Sequence, residues 1–151
     1  MKEERMGYAM VIFINDKESF MKYRKDFYVH DGEFRVFDYD PFKKCLNVLV
    51  ENGYDQESAQ ISMHFDGVVF LFVTNRIEWF GSEGDRRINA FTMKENDMFD
   101  AICKDQCTEG PIDVVDYQDM FNFCFQTFLG SEIYIVCRQL KIEVFGLREG
   151  V

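Results

Sequence analysis

Apolar runs in this chain, of which VVFLFV (68–73) is typical, fall far short of the roughly 20 residues a membrane-spanning helix needs. The opening MKEERMGYAM has no signal-peptide apolar core, so the expectation is a cytoplasmic protein without a membrane anchor. Only two Pro and ten Gly occur in 151 residues, which excludes a linker-rich or low-complexity organisation. Five Cys is an odd number with no CxxC pair, which argues against a disulfide framework or a paired-cysteine zinc motif. Basic residues are also scarce, 17 against 27 acidic, so the chain lacks the cationic surface that duplex or RNA binding requires. GxSxG, HExxH, GxxxxGK[ST] and GxGxxG are all absent, and no motif specifies a reaction.

What is present is aromatic and acidic. Seventeen Phe and seven Tyr supply core volume for one domain over 1–151, with flexible ends expected at 1–6 and 147–151. The net charge of -10 attracts basic partners and repels nucleic acid and anionic membranes. Phe, Tyr, Met, Ile, Asn and Lys together are more than twice as numerous as Gly, Ala, Arg and Pro, a bias that points to an AT-rich genome such as that of a phage.

Gly7 to Ile14 reads as a strand, and Asn15 or Asp16 caps a helix carrying Phe20, Tyr23 and Phe27. After a turn at His30, Asp31 and Gly32, EFRVFDY reads as a strand of ambiguous facing. Asp40 and Pro41 signal a second helix, with Phe42, Cys45, Leu46, Leu49 and Val50 as its stripe and Gly53 as its end. In SMHFDGVVFLFV, Asp66 and Gly67 have the spacing of a type I′ hairpin that sets Phe65 opposite Val68 and Met63 opposite Phe70. RIEWF and RRINAF read as further strands. Thr92 with Glu95 has the form of a capping box opening a helix to about Asp105, and a fourth helix is expected over Tyr117 to Leu129. EIYIVC and KIEVFG close the chain as strands. The expected fold class is therefore α+β, a single domain with a mainly antiparallel sheet and about four helices packed on it.

Thr92 to Met120 holds eight carboxylates and two lysines. Helix starts account for Glu95, Asp116 and Asp119. Asp97, Asp100, Asp105, Glu109 and Asp113 have no such task, and the spacing DQCTEGPIDVVD does not fit a calcium loop. They are expected either to be simply solvated or to face a basic protein surface, as nucleic-acid mimics do. Together with Asp119 and with Tyr117 as an aromatic anchor, they form the predicted partner-binding set.

Cys103 and Cys107, one helical turn apart, are expected to be buried, as are the cysteines set among apolar neighbours at 45, 124 and 137. His30 and His64 each lie near an Asp, but turn and strand placement explains both. Arg86 with Arg87 and KYRKDFY (22–28) are local basic clusters, and ion pairing with Glu18 and Asp26 accounts for the latter. The sequence thus leads to a small acidic interaction protein without catalysis, cofactor or metal. It is expected to inhibit a basic or nucleic-acid-handling protein, and a phage-encoded inhibitor of a host enzyme or defence system is one such case. The alternative is a small enzyme assembled from His30, His64, Arg86, Arg87 and a Cys.

Overall fold

A computed structural model of the chain describes residues 7–27, 29–51, 60–73, 87–94 and 120–147. The expected α+β fold with about four helices is not what forms. Strands make up 67% of the described residues, in two antiparallel sheets, and only one short helix accompanies them.

The first sheet has five strands in the order β1-β9-β4-β3-β2, and the second has four in the order β5-β8-β7-β6. In chain order these are β1 (Gly7–Ile14), α1 (Lys17–Tyr23), β2 (Glu33–Asp40), β3 (Cys45–Glu51), β4 (Gln60–Asp66), β5 (Phe70–Val73), β6 (Ile88–Lys94), β7 (Phe121–Thr127), β8 (Glu132–Cys137) and β9 (Gln139–Leu147).

Asp16 caps α1 as expected. Its carboxylate accepts the Ser19 amide at 2.7 Å, and the Ser19 hydroxyl accepts the Asp16 amide at 3.1 Å, which satisfies two of the donors a helix start leaves open. The helix projects Phe20 inward, where its ring meets Phe27 at 5.4 Å and Phe91 at 5.7 Å.

The second predicted helix is a strand instead. Asp40 is used as a turn former, accepting the Phe42 and Lys43 amides at 2.9 and 3.2 Å, and Lys44 closes the turn in the left-handed region at φ 55°. From Cys45 onward Leu46, Val48 and Val50 are buried and the residues between them face out. Leu46, Leu49 and Val50 also satisfy helical spacing, but a ladder on both sides, from β2 and β4, decides for the strand.

The fourth predicted helix fails for a similar reason. Phe121, Phe123 and Phe125 alternate at period two, and β7 is central in its sheet. Thr92 is not a helix cap but lies inside β6, paired with Cys124. Met93 and Lys94 continue β6, and the rest of the helix predicted to start at Thr92, from 95 on, lies outside the described residues, as does RIEWF.

The Asp66 and Gly67 hairpin does not form either. Met63 pairs with Val48 and Ile142, and Phe65 with Leu46 and Leu140, whereas Phe70 pairs with Val136 in the other sheet. At Gly67 (φ 64°) the chain crosses between sheets, and at Arg138 the antiparallel partner crosses beside it. The Arg138 amide donates to Asp66 O at 3.0 Å and the Val69 amide to Val136 O at 2.9 Å, so β4-β9 and β5-β8 are one bent two-stranded ribbon.

On the far side, the Asp31 amide donates to Ile88 O and the Ile88 amide to Gly32 O, both at 2.8 Å, joining the β2 and β6 edges at a single bridge between Glu33 and Arg87. The α1 helix lies against β6, where the Lys17 ammonium donates to Met93 O at 2.9 Å and the Phe20 ring meets Phe91. Between the sheets lies an aromatic core in which Phe65 meets Phe123 at 5.8 Å and Phe125 meets Phe34 at 5.1 Å and Phe91 at 4.4 Å. A bulge between Phe34 and Val36 settles the facing of β2, because it turns Phe34 inward and leaves Arg35 and Val36 outward.

Candidate functional site

Strand alternation sorts the outer face of the five-stranded sheet into rows. One row runs Asp38, Asn47, His64, Lys141, Phe13, and the next runs Asp40, Cys45, Asp66, Gln139. Glu33 and Glu51 lie directly opposite each other at the other end, and Arg35 relieves their repulsion with Nη2 at 2.6 Å from Glu51 and 3.7 Å from Glu33.

Six carboxylates, Glu33, Asp38, Asp40, Glu51, Asp66 and Glu143, share this face with the cations Arg35 and Lys141. Apolar residues break the charge pattern. Val11, Phe13, Val36 and Phe145 are exposed on the same face. At the tip of the turn between β2 and β3, beside the Cys45 row, Phe42 is 96% exposed.

Within this face one group of side chains converges. The Cys45 thiol donates to Asp66 Oδ1 at 3.2 Å and approaches Lys43 O at 3.3 Å. His64 Nδ1 is hydrogen-bonded to Asn47 Oδ1, its cross-strand neighbour. One donor atom each from Cys45, His64 and Asp66 lie within 4.8 Å of one another, half-buried at Cys45 and His64 and exposed at Asp66. The thiol is held protonated, its pKa raised chiefly by the hydrogen bond to Asp66 and further by desolvation and the charges of Asp66 and Asp40, with Lys43 opposing.

Sequence reasoning placed Cys45 in a helical core stripe and so missed this grouping. The readable signal was two alternating pairs, Cys45 with Asn47 and His64 with Asp66, which bring four polar side chains to one surface once both segments are strands.

The other predicted residues fall elsewhere. Asp97, Asp100, Asp105, Glu109, Asp113, Tyr117 and Asp119 lie outside the described residues, as do Arg86, Cys103 and Cys107. His30 is in the turn before β2, where Nδ1 meets Asn89 O at 2.7 Å and Nε2 lies 3.6 Å from Asp31. It borders an open groove of about 350 Å³ between α1 and β6, with Phe20, Arg24, Phe27 and Phe91. His30 and His64 are thus in separate settings, one beside that groove and the other on the outer sheet face.

Cys124 and Cys137 are buried, as expected, and burial pushes their thiols up to about 11 and about 12. No helix among the described residues is long and apolar enough to cross a membrane. Comparison with family models, with curated proteins and with solved structures finds no match to this chain.

Proposed function

We propose that the protein works by binding, as an acidic interaction protein that occupies and inhibits a basic, nucleic-acid-handling protein partner. The observation that carries this reading is Phe42, 96% exposed at the rim of a sheet face on which six carboxylates outnumber two cations. Exposing a phenylalanine gains nothing for folding, whereas an aromatic anchor beside complementary charge is the usual make-up of an interface hot spot. Val11, Phe13, Val36 and Phe145 extend the apolar component across the same face. The acids would accelerate encounter with a basic surface and disfavour acidic competitors, while the apolar residues would slow dissociation. The net charge of -10 reinforces the preference, and the acids between Asp97 and Asp119, with Tyr117 as an aromatic anchor, are proposed to contribute to the same binding. A phage origin, with a host enzyme or defence protein as target, fits the composition.

The test is affinity capture from the native cell extract at low and high salt, using wild type, Phe42→Ala, the pair Asp38→Asn with Glu143→Gln, and a set with Asp97, Asp100, Asp105, Glu109 and Asp113 neutralised. The expected result is one basic protein retained at low salt, released at high salt, and weakened by Phe42→Ala and by at least one acid set. Retention that ignores salt and every one of these substitutions, or no retained protein, overturns the reading.

A further inference from the structure

We propose that Cys45, His64 and Asp66 form a binding site for a zinc-class divalent cation, open to solvent at a fourth position. Three donors of different type come from two adjacent strands whose register is already fixed, Cys45 paired with Asp66 and Asn47 with His64. A tetrahedral zinc centre with bonds of about 2.0–2.3 Å needs donor separations of roughly 3.3–3.8 Å. Cys45 Sγ and Asp66 Oδ1 are 3.2 Å apart, and all three donors lie within 4.8 Å. Closing the set therefore asks the donors to approach by about an ångström, a shift on the scale of side-chain rotation.

The chemistry of the set selects the metal. A thiolate and an imidazole suit zinc, whereas magnesium and calcium take oxygen cages, and one carboxylate does not supply such a cage. His64 Nδ1 meets the Asn47 amide oxygen, an acceptor, so the tautomer with hydrogen on Nδ1 leaves the Nε2 lone pair for a cation, the outer-sphere pairing that ligating histidines use. The surroundings carry more acid than base, with Asp40 and Asp38 in the same two rows set against Lys141, the other neighbour of His64, and Lys43, whose charge reaches Cys45. On binding, the Cys45 S–H proton leaves to water, Sγ, the imidazole nitrogen and a carboxylate oxygen bond the cation, and all but one of the waters of the hydrated ion are released. No electron is transferred. A remaining water completes the coordination, the arrangement of zinc sites that keep one position exchangeable.

The experiment is titration of the full chain carrying Cys103→Ser and Cys107→Ser with Co²⁺ as a spectroscopic probe, followed by displacement with Zn²⁺. The expected result is one equivalent bound, with a thiolate-to-cobalt charge-transfer band and the visible bands of four-coordinate cobalt, unaffected by Mg²⁺ or Ca²⁺. Cys45→Ser should abolish the charge-transfer band. His64→Gln, which keeps a hydrogen-bonding partner for Asn47, should remove tight binding, and Asn47→Ala should weaken Zn²⁺ by about 10-fold or more. Circular dichroism of each apo variant reports folding, and Asn47→Ala leaves all three donors in place should a ligand variant unfold. Absence of the charge-transfer band in the parent protein, its survival in a folded Cys45→Ser variant, or unchanged zinc affinity in both His64→Gln and Asn47→Ala overturns the proposal. The titration involves no protein partner, so its outcome is independent of the acidic-surface reading.

Discussion

Gly67 and Arg138 stand face to face where the two-stranded ribbon bends from one sheet into the other, so close that a Cβ on Gly67 would lie 2.9 Å from Arg138 Cβ and Cγ. The glycine is also at φ 64°, a conformation other residues enter at a cost of about 1–2 kcal/mol. Because Arg138 Cβ belongs to the root of its side chain, it cannot swing away. Gly67→Ala should therefore destabilise the fold by about 2–4 kcal/mol in urea denaturation, strain and overpacking together. Gly130 is the control. It has φ 90°, but a methyl group added there would meet nothing within 4 Å, so Gly130→Ala should show the backbone cost alone.

Phe125 is fully buried and its ring meets those of Phe34, Phe65 and Phe91, which belong to β2, β4 and β6. It thus ties both sheets together. Phe125→Ala should cost about 3–5 kcal/mol, a large share of the stability of an ordinary domain, and Phe125→Leu less. Denaturant midpoints measure both.

The capping box at Asp16 and Ser19 is exposed, so its loss removes hydrogen bonds without opening a cavity. Asp16→Ala should cost about 1 kcal/mol. Since α1 holds Phe20 against Phe91, amide exchange should rise first over 17–23 in this variant, before the sheets respond.

Cys137 gives a pH signature. Burial raises its thiol from 9.0 to about 12, so the unfolded chain releases a proton that the folded chain retains across that interval. Below pH 9 both states hold the proton and the group contributes no pH dependence. Between pH 9 and 12 stability should fall, with about 1.4 kcal/mol per pH unit from this group. Cys137→Ala should show a shallower decline than wild type over the same range, although from a lower starting stability, and equal slopes would contradict the assignment.

Strand and helix patterns were readable where one period had no rival. Gly7–Ile14, the Asp16 cap and the two closing strands stood out because their residues fit only one geometry, or because a side chain completes the hydrogen bonding locally. Cys45–Glu51 and Phe121–Thr127 were misread because each carries apolar residues that satisfy both spacings. The error hid the candidate metal donors, since Cys45 on a helix has no reason to meet Asp66.

The sequence by itself determined an acidic, aromatic-rich chain of net charge -10, and the caps and alternations of its unambiguous elements. These are properties of composition or of a few neighbouring residues, complete without distant contacts. Tertiary structure alone decided that 45–51 and 121–127 are strands, that Asp66 and Gly67 open a crossing between sheets, and that a thiol, an imidazole and a carboxylate converge. The reason is that a sheet's hydrogen bonds and cross-strand neighbours come from elsewhere in the chain. Cys45 meets Asp66 only because β3 finds its ladder between β2 and β4.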